Sequence, residues 1–329
     1  MAVYSKSIHM SFFQALRNLF KPDQFATADA GLETAGKHWG ERAREQVALN
    51  KPNSWAECPV VNQEYICPLI SGTDHVGWLE YVAKKYYTSE VPVALSLGCG
   101  GGGLERHGLQ LQIAQRFDAY DVSNDALEIA RGEARKSGQL NSINYALANL
   151  NKLEFAEESY DAVFASQSVH HIEALEHYMQ QVSRCLKSGG YFIINEFVGP
   201  NQFQWTDVQL EHCGRLLAEI PESLRQTIRE PGVKHSVERP TIEFMNGYDP
   251  TEAIRSADII PELEKRFEIV ERRDFGGTLL HLVLDNIAGN LSDSEEGKTI
   301  LRNLFAEEQR LIKEGVIESD FTLLVARKK

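Results

Sequence analysis

Two groups of residues in this 329-residue chain have types and spacings that could do chemistry. The first is Gly98-Cys99-Gly100-Gly101-Gly102-Gly103, five glycines in six positions. Glycine accepts positive φ freely, and a missing Cβ lets a ligand lie against bare backbone. Asp121 follows about 20 residues later, where a carboxylate can accept both ribose hydroxyls of a nucleoside. The second group is His170-His171 with Glu196. Histidine is the usual side chain for taking a proton from a hydroxyl near neutral pH. His170 is the expected base, and Glu196 is a second candidate as base or substrate clamp. Trp205, Tyr248 and Arg255 are candidates to shape an acceptor pocket, Arg255 suiting an anionic acceptor. His281, inside the apolar run Leu279-Leu280-His281-Leu282-Val283-Leu284, reads as a satisfied core histidine. No metal set is expected. The histidines lack i, i+4 or H-x-H grouping, and adjacent His170 and His171 would point apart if extended.

These groups need elements to hold them. Val91-Pro92-Val93-Ala94-Leu95-Ser96-Leu97 is a short apolar run suited to a buried parallel strand. It leads through the glycines into a helical pattern at Glu105, Leu109 and Ile113. Strand, glycine turn and helix bring backbone N–H groups to a ligand at a helix N-terminus. Over 91–198 strands are expected at 92–97, 116–121, 143–147, 160–165 and 191–197. Helices are expected at 103–114, 124–137 and 173–186. That alternation implies a doubly wound parallel sheet with helices on both faces. Ser123 or Asn124 should cap the second helix, and Ser188-Gly189-Gly190 should turn into the fifth strand.

The flanks divide the rest. Residues 1–90 read as a helical N-terminal cap segment, with helices over 11–20, 31–49 and 74–87 and an irregular stretch carrying Trp55 and Tyr65. Those two aromatics suit a cover over the site or a pin to the domain. Residues 199–261 read as a substrate-side insertion with helices over 207–219 and 251–257. Residues 262–329 supply strands at 267–273 and 321–327 around a helical insert and complete the core.

A formal charge of −13 argues against nucleic acid as partner, since phosphate binding needs clustered Lys and Arg. No Asn/Asp-Pro-Pro-aromatic motif follows the fourth strand. The five cysteines form no C-x-x-C pair, so neither a disulfide framework nor a zinc knuckle is indicated. No apolar run reaches membrane-spanning length, and no signal-peptide pattern opens the chain. The expectation is a cytoplasmic enzyme acting on a small molecule, with its oligomeric state open.

Gly98, Gly100 and Gly103 satisfy G-x-G-x-x-G, so the loop and Asp121 alone fit a nicotinamide cofactor as well as S-adenosylmethionine. Further residues separate the two. Asn149 ends the third strand, where its amide can accept from an adenine amino group. Tyr160-Asp161 opens the fourth strand and His170-His171 follows it. Lys187-Ser188-Gly189-Gly190 leads into the fifth. This ordered set resembles the class I, Rossmann-like S-adenosylmethionine-dependent methyltransferases, over 91–198 and the terminal strand pair. The flanks are similar to a bacterial small-molecule subgroup. The resemblance implies a seven-stranded, mostly parallel sheet with the last strand antiparallel. It also implies that Gly98, Cys99, Gly100 and Gly102 line the methionine end of the cofactor and Asp121 holds the ribose. Val122, Asn149, Leu150 and Gln167 complete the cofactor set. The chain departs from the family at Ser96, where an acidic residue is usual, and at Asn149, where Asp is frequent. Ser96 offers a hydroxyl to the cofactor ammonium, and Glu105, at the helix start, suits the helix dipole better than the place of the missing carboxylate. The implied function is methyl transfer to a small acceptor, with a hydroxyl oxygen expected. Nitrogen or carbon acceptors, a nicotinamide-dependent oxidoreductase and a non-catalytic cofactor-binding scaffold stay open.

Overall fold

The structure, a computed structural model, describes residues 51–329 together with Gly36 and Gly40. The helices expected over 11–20 and 31–49 lie outside the described residues, those two glycines apart. Seven strands form one sheet: β1 (Ala94–Leu97), β2 (Phe117–Asp121), β3 (Ile143–Leu147), β4 (Tyr160–Ser166), β5 (Leu186–Phe197), β6 (Phe267–Asp274) and β7 (Phe321–Lys328), in the order β3-β2-β1-β4-β5-β7-β6. β7 runs antiparallel between β5 and β6, and the β1–β5 pairings are parallel. This is the expected doubly wound, mostly parallel architecture.

Burial explains the composition of the central strands. β1 and β2 are buried at every position, so neither has a polar face. Along β1, Ala94 faces one hydrophobic core, while Leu95 and Leu97 face the other. Phe117 and Phe164 fill the first core side by side, their ring centroids 6.1 Å apart. The crossovers are α1 (Gly103–Gln110), α2 (Asn124–Lys136) and α3 (Leu175–Cys185). Ser123 caps α2 by accepting from Ala126 N–H at 3.3 Å.

The sheet starts at β1, steps outward to β2 and β3, and returns to β4 on the other side. A gap therefore opens at the carboxyl ends of β1 and β4, the switch point where open α/β sheets bind ligands. The glycine loop leaves β1 there and the histidine pair leaves β4 there. Ser168 Oγ donates to Leu97 O at 2.8 Å and ties the two loops together.

Three local expectations change. Ser188-Gly189-Gly190 lie within β5, not before it. Leu186 already pairs with Tyr160, and the register shifts before Ala162 pairs with Tyr191. The glycines form a bulge, with Gly189 at φ 81°. The helix expected over 251–257 is a turn followed by a single 3₁₀ turn, Ser256–Asp258. Thr251 directs both its backbone N–H and its hydroxyl to Asp249 Oδ1, at 2.9 and 2.7 Å, which competes with helix formation. Two further helices, α5 (Ile242–Tyr248) and α6 (Ile259–Glu264), follow α4 (Asp207–Glu219) in this region. The insert between β6 and β7 holds α7 (Leu280–Leu284), α8 (Ala288–Ser292) and α9 (Glu295–Lys313).

Candidate active site

The turn after β1 is held by its own backbone. Gly98 and Cys99 N–H both donate to Tyr120 O, at 2.8 and 3.1 Å, and Gly102 N–H donates to Cys99 O at 2.9 Å. The glycines differ in purpose. A Cβ on Gly98 would lie 2.3 Å from Ser168, and one on Gly102 would lie 2.3 Å from the Tyr145 hydroxyl. Those two are required by packing. Gly100 sits at φ 49°, and a Cβ there would meet nothing within 4 Å. That open space is part of a cleft of about 1100 Å³. Small-molecule sites run from about 300 to 1,000 Å³, so the cleft has room for a cofactor and an acceptor together.

Asp121 lines the cleft beside this loop and is 8% exposed. Its Oδ2 accepts from Gly100 N–H and its Oδ1 from Ser123 N–H, both at 2.8 Å. Burial raises its pKa above the usual carboxylate value, against the pull of those N–H groups. Each carboxylate oxygen accepts more than one hydrogen bond, so ribose hydroxyls can still be taken. Val122, Leu150, Gln167, Gly98, Cys99 and Gly100 also line the cleft. Gln167 is held at φ 53°, with its backbone N–H and its Nε2 both on Asn195 O. Strained backbone of this kind persists where the surroundings over-determine it.

The structure corrects several sequence expectations. Gly102 lies behind the loop as the N-cap of α1 and does not line the cleft. Asn149 does not line it either. Its Oδ1 accepts from Asn151 N–H at 2.9 Å, which ties the side chain to its own turn. Its Nδ2 is buried with no hydrogen-bond partner. Ser96 and Glu105 are buried behind the loop and stay out of the cleft. Burial pushes the Glu105 carboxyl up to about 7, so it does not replace the missing acid. Arg255 points away, forking onto both Glu176 oxygens at 2.7 and 2.8 Å. It is a surface clamp between α3 and the 249–258 turn, not an acceptor group.

Glu196 is wholly buried and does not reach the cleft. Its carboxylate accepts from Ser168, Val169 and Phe197 N–H at 2.9, 2.7 and 2.7 Å, and from His170 Nδ1. It is a bracket for the His170 turn, not a base or clamp in contact with substrate. Burial opposes charge on His170, yet Glu196 and Glu252 outweigh it and push the pKa up to about 10. With Nδ1 on Glu196 and Nε2 turned toward Glu252, both ring nitrogens face carboxylates, which speaks against the expectation of His170 as base.

The pair does not point apart. His170 and His171 sit in a single 3₁₀ turn, Val169–His171, with ring centroids 4.1 Å apart. The 249–258 turn closes over them through Ile254 N–H on His170 O at 3.1 Å. This contact brings in Glu252, with Oε1 3.4 Å from His170 Nε2. Thr251 gives its hydroxyl proton to Asp249, so it accepts from His171 Nδ1 at 3.2 Å and fixes the proton there.

The far end of the cleft is aromatic: Trp55, Phe197, Phe203, Trp205, Phe275 and Phe321. Phe203 and Trp205 stack at 4.9 Å. Trp55 faces the cleft, whereas Tyr65 bonds Glu308 and pins its segment to α9. Tyr248 and Phe244 stack at 5.6 Å on the rim, 41% and 57% exposed. His281 stands among these rings, 5.5 Å from Phe321 and 5.6 Å from Phe203. It is not satisfied: Nδ1 is buried without a hydrogen-bond partner. Burial lowers its pKa, so the ring stays neutral. Nothing in its apolar run signals this, because only the packing of α7 against β7 and the insertion turns it to the cleft. Glu252 lacks a sequence signal for the same reason.

A family model described as Methyltransferase domain matches residues 95–194. The sterol 24-C-methyltransferase ERG6A of Gibberella zeae is 24% identical over 186 residues, covering 55% of this chain and 46% of that protein. The demethylmenaquinone methyltransferase of Bacteroides fragilis is 28% identical over 119 residues, covering 33% and 49%. The chain thus spans about half the length of these relatives. The geranyl diphosphate C-methyltransferase from Streptomyces coelicolor A3(2) superimposes with a TM-score of 0.54 at 12% identity, over 92% of this chain and all of that one. The [4+2]-cyclase SpnF does so with 0.51 at 14% identity, over 89% and 95%. These likenesses concern fold, and function is argued from the site.

Proposed function

We propose, from the match of residues 95–194 to a Methyltransferase domain model, that this chain transfers a methyl group from S-adenosylmethionine to a small, largely apolar acceptor. The single observation that carries the reading is one continuous cleft. Its floor is the open backbone at Gly100 beside Asp121, and its far wall is the aromatic chamber holding His281. Gly98, Cys99 and Gly100 would hold the methionine end, Asp121 and Val122 the ribose, and Leu150 the adenine. The cofactor supplies an activated methyl on a sulfonium; the protein has to align the acceptor and remove its proton.

The acceptor atom in this reading is a hydroxyl oxygen. A hydroxyl entering the chamber would meet the His281 ring, which lines it, and the neutral ring would take its proton. The apolar body of the acceptor would lie against Trp55, Phe203 and Trp205, which exclude water. His281→Asn should lower kcat on the order of a hundredfold, the lower range for loss of a general base, with cofactor affinity unchanged. The wild-type rate should fall as pH drops below His281's depressed pKa, under the ordinary value of about 6.5. That acid limb should vanish in the variant. A variant with full kcat would remove His281 from the reaction.

A carbon acceptor is the second reading. The relatives named for C-methylation favour it, as does an aromatic wall, whose ring faces stabilise positive charge on a substrate. NMR of the product separates the two, since an O-methyl and a C-methyl differ in carbon shift.

A further inference from the structure

We propose that His170, His171 and Glu252 form a binding site for a divalent cation of the zinc class on the wall of the cleft. One ligand atom from each residue lies within 4.8 Å of the other two. The 3.4 Å from His170 Nε2 to Glu252 Oε1 is close to the edge of about 3.3 Å expected for a tetrahedron with bonds of about 2.0–2.1 Å. Two imidazoles and one carboxylate are a donor set that zinc and its neighbours favour over magnesium or calcium.

The groups behind the ligands strengthen the case. A ligating histidine usually donates its other ring N–H to a carboxylate or other acceptor, which fixes the tautomer and aims the lone pair. Here His170 Nδ1 bonds Glu196, itself held by three backbone N–H groups. His171 Nδ1 bonds Thr251 Oγ1, which is held in turn by Asp249. In both rings Nε2 carries the lone pair once a metal is bound. Glu196, Glu252 and Asp249 stand around the two imidazoles in this buried corner, so a cation bound there would meet carboxylate oxygens on several sides.

All three ligands line the cleft, so the remaining coordination positions open onto it, where an acceptor oxygen could bind and be polarised. The site itself does not depend on methyl transfer, and its test is separate. The full chain, stripped with a chelator and dialysed, would be titrated with cobalt(II) and with zinc. The expected result is one metal per chain, with cobalt showing the visible bands of a nitrogen-coordinated ion of low symmetry. Glu252→Gln, nearly isosteric, and His171→Asn should each weaken binding by at least tenfold. Thr251→Val, which removes the group behind His171, should weaken it about tenfold. His75→Asn, on the exposed surface, should leave it unchanged. Circular dichroism and melting of each variant identify any loss caused by misfolding. A folded wild-type chain that binds no cobalt, or binds it equally in the folded Glu252→Gln variant, overturns the proposal.

Discussion

A chain carrying Gly100→Val is expected to bind S-adenosylmethionine on the order of a hundredfold more weakly, about 2.8 kcal/mol, while remaining folded. The valine would project into space where nothing in the protein lies within 4 Å, so it blocks a ligand without displacing a neighbour. Its cost to the fold is the left-handed backbone at φ 49°, roughly 1–2 kcal/mol for a residue with a Cβ. Gly98→Val is the contrast. It would collide with Ser168 and should damage the fold first. Calorimetry with S-adenosylhomocysteine, beside a denaturation curve for each variant, separates the two effects. Unimpaired binding by Gly100→Val would place the ligand elsewhere.

Glu196→Ala is expected to cost about 3–5 kcal/mol of stability, the range for breaking a buried ion pair. Four donors lose their acceptor at once: the N–H groups of Ser168, Val169 and Phe197, and His170 Nδ1. Glutamine is a poor substitute, since its amide NH₂ would face donors. Urea denaturation measures the loss, and a change below about 1 kcal/mol would mean that the bracket around the histidine turn has little energetic weight. Because Glu196 does not touch the cleft, its contribution to any activity runs through the position of His170. A stable Glu196 variant that leaves the His170 turn intact would contradict that.

The elements that position the site could be read from residues because the physics there is local. An apolar run, a glycine turn and a carboxylate at the next strand end define β1, its loop and β2 without tertiary information. Ser123 caps α2 for the same local reason. The site's polar half was less legible. Glu196 looks like a reactive carboxylate in sequence, and only the fold shows it enclosed by backbone N–H groups. Asn149 offers an amide at the expected place, but an Asx turn with Asn151 ties it down and it does not line the cleft. Arg255 suits an anionic ligand until Glu176, on another helix, takes both arms of its fork. His281 and Glu252 reach the cleft through contacts between segments far apart in the chain, as in the bond from Ile254 to His170. No periodicity records such a contact.

The histidine corner follows the same logic. Extended, two adjacent side chains point to opposite sides. Val169–His171 instead make a 3₁₀ turn, because Glu196 gathers the N–H groups of Ser168 and Val169 from beneath. One buried carboxylate thus decides whether the two rings diverge or converge.

The most direct test is calorimetric titration of the intact chain with S-adenosylmethionine and, separately, with NAD. Both would use the glycine turn and Asp121, so the choice between them decides what the cleft is for. Saturable one-to-one binding of S-adenosylmethionine, abolished by Gly100→Val, with no heat from NAD, is the predicted result. Tight binding of NAD with none of S-adenosylmethionine would contradict the account.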